Sequence, residues 1–93
     1  MPDYAYRDIA KMIDHSLLQQ TLTDTELEAG CRLALEYDVA SVCIKPYFVQ
    51  RAAQMLKGSA VAVGTTIGFP HGGHLTAIKV AEAEAAMRDG AVE

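Results

Sequence analysis

The stretch that decides the fold is VASVCI, residues 39–44, a short and almost continuous apolar run that is rich in β-branched residues. Such a run is typical of a strand that is covered on both faces. Pro46 follows it and predicts the end of strand pairing, because proline has no amide proton to donate to a sheet. A second run, AVAVGTTI at residues 60–67, predicts another strand of the same kind.

Helical spacing flanks these runs. Thr23 and Glu26 have the spacing of a capping box, in which each side chain bonds the other residue's backbone amide at a helix start. Gly90 predicts a helix stop, since glycine favours the left-handed conformation found at helix ends. Helices are therefore expected over residues 24–37, 48–56 and 76–89.

The first eighteen residues predict a short helix and a strand. Asp3 is placed to cap a helix in which apolar residues recur at i, i+3, i+4 and i+7 from Tyr6. Residues 13–18, IDHSLL, are brief and mixed and are interpreted as the first strand.

The order of these elements indicates the α/β class. Expected strand starts near residues 13, 39, 61 and 91 are separated by single helices, which is the pattern of repeated βα units with parallel strands. A (β/α)₈ barrel and a flavodoxin-like open sheet both have such spacings. Periodicity alone leaves both open.

Length and composition exclude several classes of protein. Ninety-three residues form one small domain, 1–93, at most. A formal net charge of −4 without a basic cluster argues against nucleic acid as a partner. The apolar runs are far shorter than the roughly 18 residues of a membrane span, so we expect no membrane partner and a cytoplasmic protein. Cys31 and Cys43 suit neither a disulfide framework nor a zinc site.

Candidate functional residues follow the apolar runs, where parallel α/β folds collect their chemistry. Asp14 is a carboxylate within an apolar strand, and it either faces a polar cavity or caps a turn. His15 points to the other face and is interpreted as structural. Cys43 and Lys45 share one face and either line a pocket mouth or form an inert thiol and a solvated rim amine.

Two further features have ordinary interpretations. The glycine-rich loop of residues 64–73 lacks the endings of known phosphate-binding loops, although with Lys45 it leaves a small-anion site as a weaker alternative. Lys79 and Glu82 lie three residues apart on a helix, which favours a surface ion pair.

Four motifs in order resemble deoxyribose-phosphate aldolases. They are IDHSLL at 13–18, SVCIKPYFV at 41–49, GFPHG at 68–72, and KVAEA at 79–83 leading to DGAVE at 89–93. The resemblance implies a partial (β/α)₈ TIM barrel with an N-terminal helix, about three βα units and the start of a fourth strand. On this view residues 1–93 are an N-terminal fragment of the barrel domain.

The resemblance also implies a reaction. It is the reversible cleavage of 2-deoxy-D-ribose 5-phosphate to D-glyceraldehyde 3-phosphate and acetaldehyde through a lysine Schiff base, with no metal or other cofactor. Asp14 then belongs to the catalytic polar network. Ser16, Cys43, Lys45 and Phe69 become substrate-binding residues, with Lys45 adding positive charge.

None of the four lysines matches the family's Schiff-base motif, so the chain alone is expected to be inactive. The alternative is a non-catalytic, self-associating α/β module built on the aldolase scaffold. In either case an open sheet edge predicts a homo-oligomer.

Overall fold

The computed structural model describes residues 3–93. Helices and strands alternate along the chain, as the sequence pattern predicts. The elements are α1 (Tyr6–Ala10), β1 (Asp14–Leu17), α2 (Asp24–Tyr37), β2 (Ser41–Ile44), a 3₁₀ turn (Pro46–Phe48), α3 (Val49–Leu56), β3 (Ala62–Thr65) and α4 (Thr76–Asp89).

The three strands form one parallel sheet in the order β1-β2-β3. Each strand is shorter than its apolar run because pairing covers only four residues. Beyond β3, the Val92 amide donates to the Val63 carbonyl at 2.9 Å, and the Thr65 amide donates to the Glu93 carbonyl at 3.1 Å. Residues 92–93 therefore lie beside β3, where the sequence predicts the start of a fourth strand.

The hydrophobic core lies between the sheet and its helices. Val42 and Ile44 of the central strand are fully buried, and Leu17 and Val63 join them from the neighbouring strands. The helices supply the opposing layer, with Leu27, Cys31, Val49, Ala52 and Leu56. Burying this one sheet face supplies most of the driving force for folding.

The helix ends follow local sequence. At α2 the Thr23 hydroxyl accepts from the Glu26 amide at 3.2 Å, and the Glu26 carboxylate accepts from the Thr23 amide at 3.0 Å, which confirms the capping box. Helix α4 has the predicted bounds, and Gly90 takes the left-handed conformation.

Two predicted helix starts are wrong. Ala5, and not Asp3, precedes α1, and the Asp8 carboxylate accepts from the Ala5 amide at 2.9 Å. An acidic side chain inside the first turn therefore satisfies the free amide. The helix expected from Phe48 begins at Val49, because Pro46 starts a tighter 3₁₀ turn that ends at Phe48.

Lys11 makes hydrogen bonds at the end of the sheet where the strands begin. Its ammonium donates to the Asp38 carboxylate at 2.8 Å, to the Val39 carbonyl at 2.9 Å and to the Ala60 carbonyl at 3.2 Å. The hydrogen bond from Lys11 holds the pKa of Asp38 below its usual range. We call these four residues the Lys11 clasp.

Within residues 3–93, no helix combines the length and the hydropathy that a membrane crossing requires. Over the same range, no three His, Cys, Asp or Glu side chains lie close enough together to hold a metal ion.

Candidate active site

A cavity of about 640 Å³ opens at the carboxyl ends of the strands. Parallel α/β folds carry their functional groups at this end, because the loops that follow the strands converge there. The cavity is lined from all three strand ends, by Leu18 and Gln20 after β1, Lys45 and Tyr47 after β2, and Phe69 and His71 after β3, with Glu82 of α4.

Below the cavity, the sheet face that the helices leave uncovered carries polar side chains. The parallel register places Ser16 of β1 beside Cys43 of β2, and Cys43 beside Gly64 of β3. One level lower, Asp14 lies beside Ser41. Since side chains alternate between the two faces of a strand, these residues share one side. We call it the open face.

Asp14 has the hydrogen-bonding partner that its position requires. The Ser41 hydroxyl donates to Oδ1 of Asp14 at 2.7 Å. Ser41 is 1% exposed, whereas Asp14 is exposed. The bond orients the carboxylate and leaves it accessible from the open face, so Asp14 is held beside a neighbouring strand and does not cap a turn.

Lys45 and Phe69 lie higher, at the cavity itself. The Lys45 ammonium donates to the Gln20 carbonyl at 3.2 Å and lies 5.6 Å from the ring centroid of Phe48. Phe69 is 53% exposed and forms part of the opposite wall. A cation and an apolar ring thus face the same space.

Two side chains of α4 form hydrogen bonds with the backbone of the loop that carries Phe69. The Gly68 amide donates to Oε1 of Glu82 at 2.8 Å, and the Lys79 ammonium donates to the Gly72 carbonyl at 3.0 Å. The predicted Lys79–Glu82 ion pair is therefore wrong, because both side chains bind loop backbone instead of each other.

The two cysteines lie on opposite sides of the sheet. Cys43 is half-buried on the open face, and burial, together with the nearby Asp14 and Glu93 carboxylates, raises the pKa of its thiol. Cys31 is fully buried in the core, where burial raises its pKa. Both thiols are free, and the raised pKa keeps Cys43 protonated near neutral pH.

A second, apolar cavity of about 300 Å³ lies on the helix side, between α1 and α2. His15, interpreted from the sequence as structural, is one of its lining residues, with Tyr6, Ile9, Leu33 and Tyr37. It lacks the lysine and glutamate of the cavity at the strand ends, so we place the candidate site there.

The structure brings the predicted residues together on one side of the sheet, at two depths. Lys45 and Phe69 line the cavity, whereas Asp14, Ser16 and Cys43 lie on the open face below and are not among its walls. Sequence reasoning missed Ser41 and Glu82. Ser41 precedes Cys43 by two residues in a strand, and this spacing was the available signal that both share a face.

The sequence profile of the DeoC/LacD family aldolases matches residues 9–93. A deoxyribose-phosphate aldolase of Rhodopirellula baltica is 60% identical over 93 residues, which are 100% of this chain and 39% of the relative. The chain thus spans well under half the length of that relative.

Solved structures give the same result. A Coccidioides immitis protein, provisionally assigned as a deoxyribose-phosphate aldolase, matches with a TM-score of 0.92 and 41% identity over 100% of this chain and 37% of its own. The tetrameric deoxyribose phosphate aldolase of Aeropyrum pernix matches with a TM-score of 0.86 and 25% identity over 94% of this chain and 37% of its own. The predicted partial (β/α)₈ barrel is confirmed, and the chain belongs to the DeoC/LacD family of aldolases.

Proposed function

We propose that this chain forms part of the active site of an aldolase that cleaves 2-deoxy-D-ribose 5-phosphate to D-glyceraldehyde 3-phosphate and acetaldehyde. The observation that carries the proposal is the open face, where the Asp14 carboxylate is oriented by Ser41 at 2.7 Å below a cavity of about 640 Å³. An oriented carboxylate beside hydroxyl and thiol groups suits a polyhydroxylated substrate.

The reaction needs an electron sink and a proton carrier. A lysine amine condenses with the C1 aldehyde, releases water and gives an iminium ion. The C3 hydroxyl then loses its proton, the C2–C3 bond breaks, and its electron pair forms an enamine while C3 becomes the new carbonyl. Protonation at C2 and hydrolysis release acetaldehyde and restore the amine.

Asp14 is proposed to hold the substrate hydroxyl and relay its proton. Its Oδ1 accepts from Ser41, and within residues 3–93 its Oδ2 accepts no hydrogen bond. The second oxygen is therefore available to the substrate. Ser16 offers a second hydroxyl on the same face, Cys43 serves as neutral wall, and Phe69 and Lys45 bound the substrate above.

No lysine of this chain is proposed as the nucleophile. Lys11 is held in its clasp at the opposite end of the sheet, Lys79 binds the Gly72 carbonyl, and the Lys45 ammonium binds the Gln20 carbonyl. Lys57 is exposed beyond α3. We therefore expect the 93 residues alone to be inactive.

A trapping experiment tests this expectation. The chain is incubated with 2-deoxyribose 5-phosphate and sodium borohydride, and the intact protein is weighed. No reduced adduct is expected. A stable adduct on one lysine, lost in Lys45→Arg or another single Lys→Arg variant, would show that the chain carries its own nucleophile.

A chimera tests Asp14. This chain replaces the matching 39% of the Rhodopirellula baltica relative, and aldol cleavage is assayed. Asp14→Asn is expected to lower kcat by about 10²–10⁴-fold, the usual contribution of a positioned acid–base group. Asp24→Asn is the matched control, because Asp24 lies in the first turn of α2, outside the cavity. Equal activity of the two variants would exclude the role of Asp14.

A non-catalytic, self-associating module is the second candidate, favoured by exposed apolar surface. Tyr6 is 65% exposed and Tyr37 52% exposed in the apolar cavity, and β1 is an open sheet edge. Such surface favours a homo-oligomer. Sedimentation at micromolar concentration is expected to show an oligomer, and a well-folded monomer would contradict it.

The free thiols support a cytoplasmic location.

A further inference from the structure

The segment from Gly68 to Gly72 is a closed turn whose two ends are both held by α4. The Gly72 amide donates to the Gly68 carbonyl at 2.6 Å, which closes the turn on itself. Glu82 holds the amide of the first residue, and Lys79 holds the carbonyl of the last. Only Phe69, Pro70 and His71 lie between the two ends. We call this segment the Phe69 turn.

The first attachment satisfies a buried polar group. Gly68 is buried, and a buried amide without a partner costs about 1–3 kcal/mol in general. In the structure a carboxylate from the next helix supplies that partner, 14 residues along the chain. Charge-assisted bonds of this kind are the stronger ones, so Glu82 fixes the start of the turn.

The second attachment fixes the turn from below. A Cβ at Gly68 would lie 2.9 Å from Cδ of Lys79, so the aliphatic stem of Lys79 passes directly beneath this residue while its ammonium reaches Gly72. Gly68 has a φ of 66°, which glycine adopts without strain. Because Lys79 and Glu82 lie three residues apart on one helix, they can bind the two ends of the same turn.

We propose that Lys79 and Glu82 are positioning residues that hold Phe69 in the cavity wall. The inference rests on the proposed function, because the placement of Phe69 matters only if substrate enters this cavity. A phenylalanine residue that is 53% exposed has little packing to orient its ring. Its direction therefore depends on the backbone, and the backbone depends on the two attachments.

The test uses ¹⁹F NMR and needs no substrate. The chain contains two phenylalanines, so 4-fluorophenylalanine gives two signals, and Phe69→Leu identifies them. Phe48 is 6% exposed in the core and reports on the global fold within the same spectrum. The variants are Glu82→Met, Glu82→Gln, which keeps an acceptor oxygen, and Lys79→Met, which keeps the aliphatic stem. Glu84→Met is the control, because Glu84 is exposed on the same helix.

In Glu82→Met the Phe69 signal is expected to move towards its position in the urea-unfolded chain, while the Phe48 signal stays. Exchange of the Gly68 amide should accelerate about tenfold or more, since a hydrogen bond to a charged group is lost. Glu82→Gln should show only a small part of either change, because its side-chain oxygen still accepts the hydrogen bond. Lys79→Met should give an intermediate shift of the Phe69 signal, and Glu84→Met should give none.

An unchanged Phe69 signal in both Glu82→Met and Lys79→Met would overturn the proposal. If Glu82→Met also moves the Phe48 signal, the fold itself has been lost, and Lys79→Met decides the matter alone. Because no reaction is measured, a negative result here leaves the aldolase proposal standing, and an inactive chimera leaves this proposal standing.

Discussion

On the helix side of the sheet, Val42 and Ile44 are fully buried among side chains of α2 and α3, whereas on the open face their immediate neighbours Ser41 and Cys43 carry polar groups. The two sets come from the same four-residue strand and differ only in parity. The helix-side set packs in the hydrophobic core, whereas the open-face set carries polar groups, one of which binds Asp14.

Residues that stabilise the fold and residues that carry polar groups are therefore adjacent along one strand. Successive side chains of a strand point to opposite faces, so one residue packs in the core and the next lies on the open face. We therefore expect the largest losses in the free energy of unfolding from substitutions on the helix side, and losses of about 1 kcal/mol or less from substitutions on the open face.

The largest effect is expected for Ile44→Ala on the helix side. Ile44 has no exposed surface, and removing such a side chain costs about 2–5 kcal/mol, since a cavity remains. Urea denaturation measures this loss. Ser16→Ala, an exposed position on the open face, is the control and should cost less than about 0.5 kcal/mol. Equal losses would remove the distinction between the faces.

A smaller loss is expected for Gly30→Ala, which tests how closely α2 packs on β1. An added Cβ would lie 2.6 Å from both methyl groups of Leu17. Overpacking costs about 1–3 kcal/mol, and better helix propensity returns about 1 kcal/mol, so a net loss of about 1 kcal/mol is expected. Gly73→Ala adds a Cβ with no atom within 4 Å and should not destabilise the chain. A stabilised Gly30→Ala variant would show that Leu17 moves freely.

Ser41→Ala examines the polar pair on the open face. The substitution removes the hydroxyl that donates to Asp14, and a loss of about 1 kcal/mol is expected in thermal denaturation, as for one hydrogen bond. In the chimera, the same variant should lower kcat more than Ser16→Ala lowers it, since Asp14 loses its orientation. A larger effect on stability than that of Ile44→Ala would contradict the comparison.

The smallest perturbation is chemical modification of the two thiols. Because burial and nearby carboxylates raise the pKa of Cys43, its alkylation near pH 8 should be slower than that of a free cysteine and should increase at higher pH. Asp14→Asn should accelerate it. Cys31, at 0% exposure, should react only when the chain unfolds. Equal rates for both thiols in the folded chain would contradict their placement on opposite sides.

Local patterns predicted the fold well. The capping box at Thr23 and the glycine at position 90 involve residues a few positions apart, so sequence alone reveals them. The apolar runs likewise predicted β2 and β3, because short runs rich in β-branched residues favour strands. The expected cover on both faces was wrong, because the helices pack on only one side of the sheet and leave the open face uncovered. Asp3 failed as a cap because another carboxylate, Asp8, competes within the same first turn.

The candidate site was harder to predict, because its contacts are distant in sequence. Ser41 binds Asp14 across 27 positions, and Glu82 binds the Gly68 backbone across 14. A pairing rule for neighbours on a helix favoured Lys79 with Glu82, but a buried amide competes more strongly for the carboxylate. Backbone groups carry no sequence signature, so this outcome was not visible in the residue types.

The Lys11 clasp has a consequence for the kinetics of folding. Its three hydrogen bonds join positions 27, 28 and 49 residues apart, so all of them form together only after both crossovers are in place. Contacts that form after the rate-limiting step affect the rate of unfolding and leave the rate of folding almost unchanged. Lys11→Met should therefore increase the unfolding rate in stopped-flow experiments and leave the refolding rate unchanged. Slower refolding would place the clasp in the folding nucleus. The Lys11 ammonium would then slow unfolding of a chain that folds without its help.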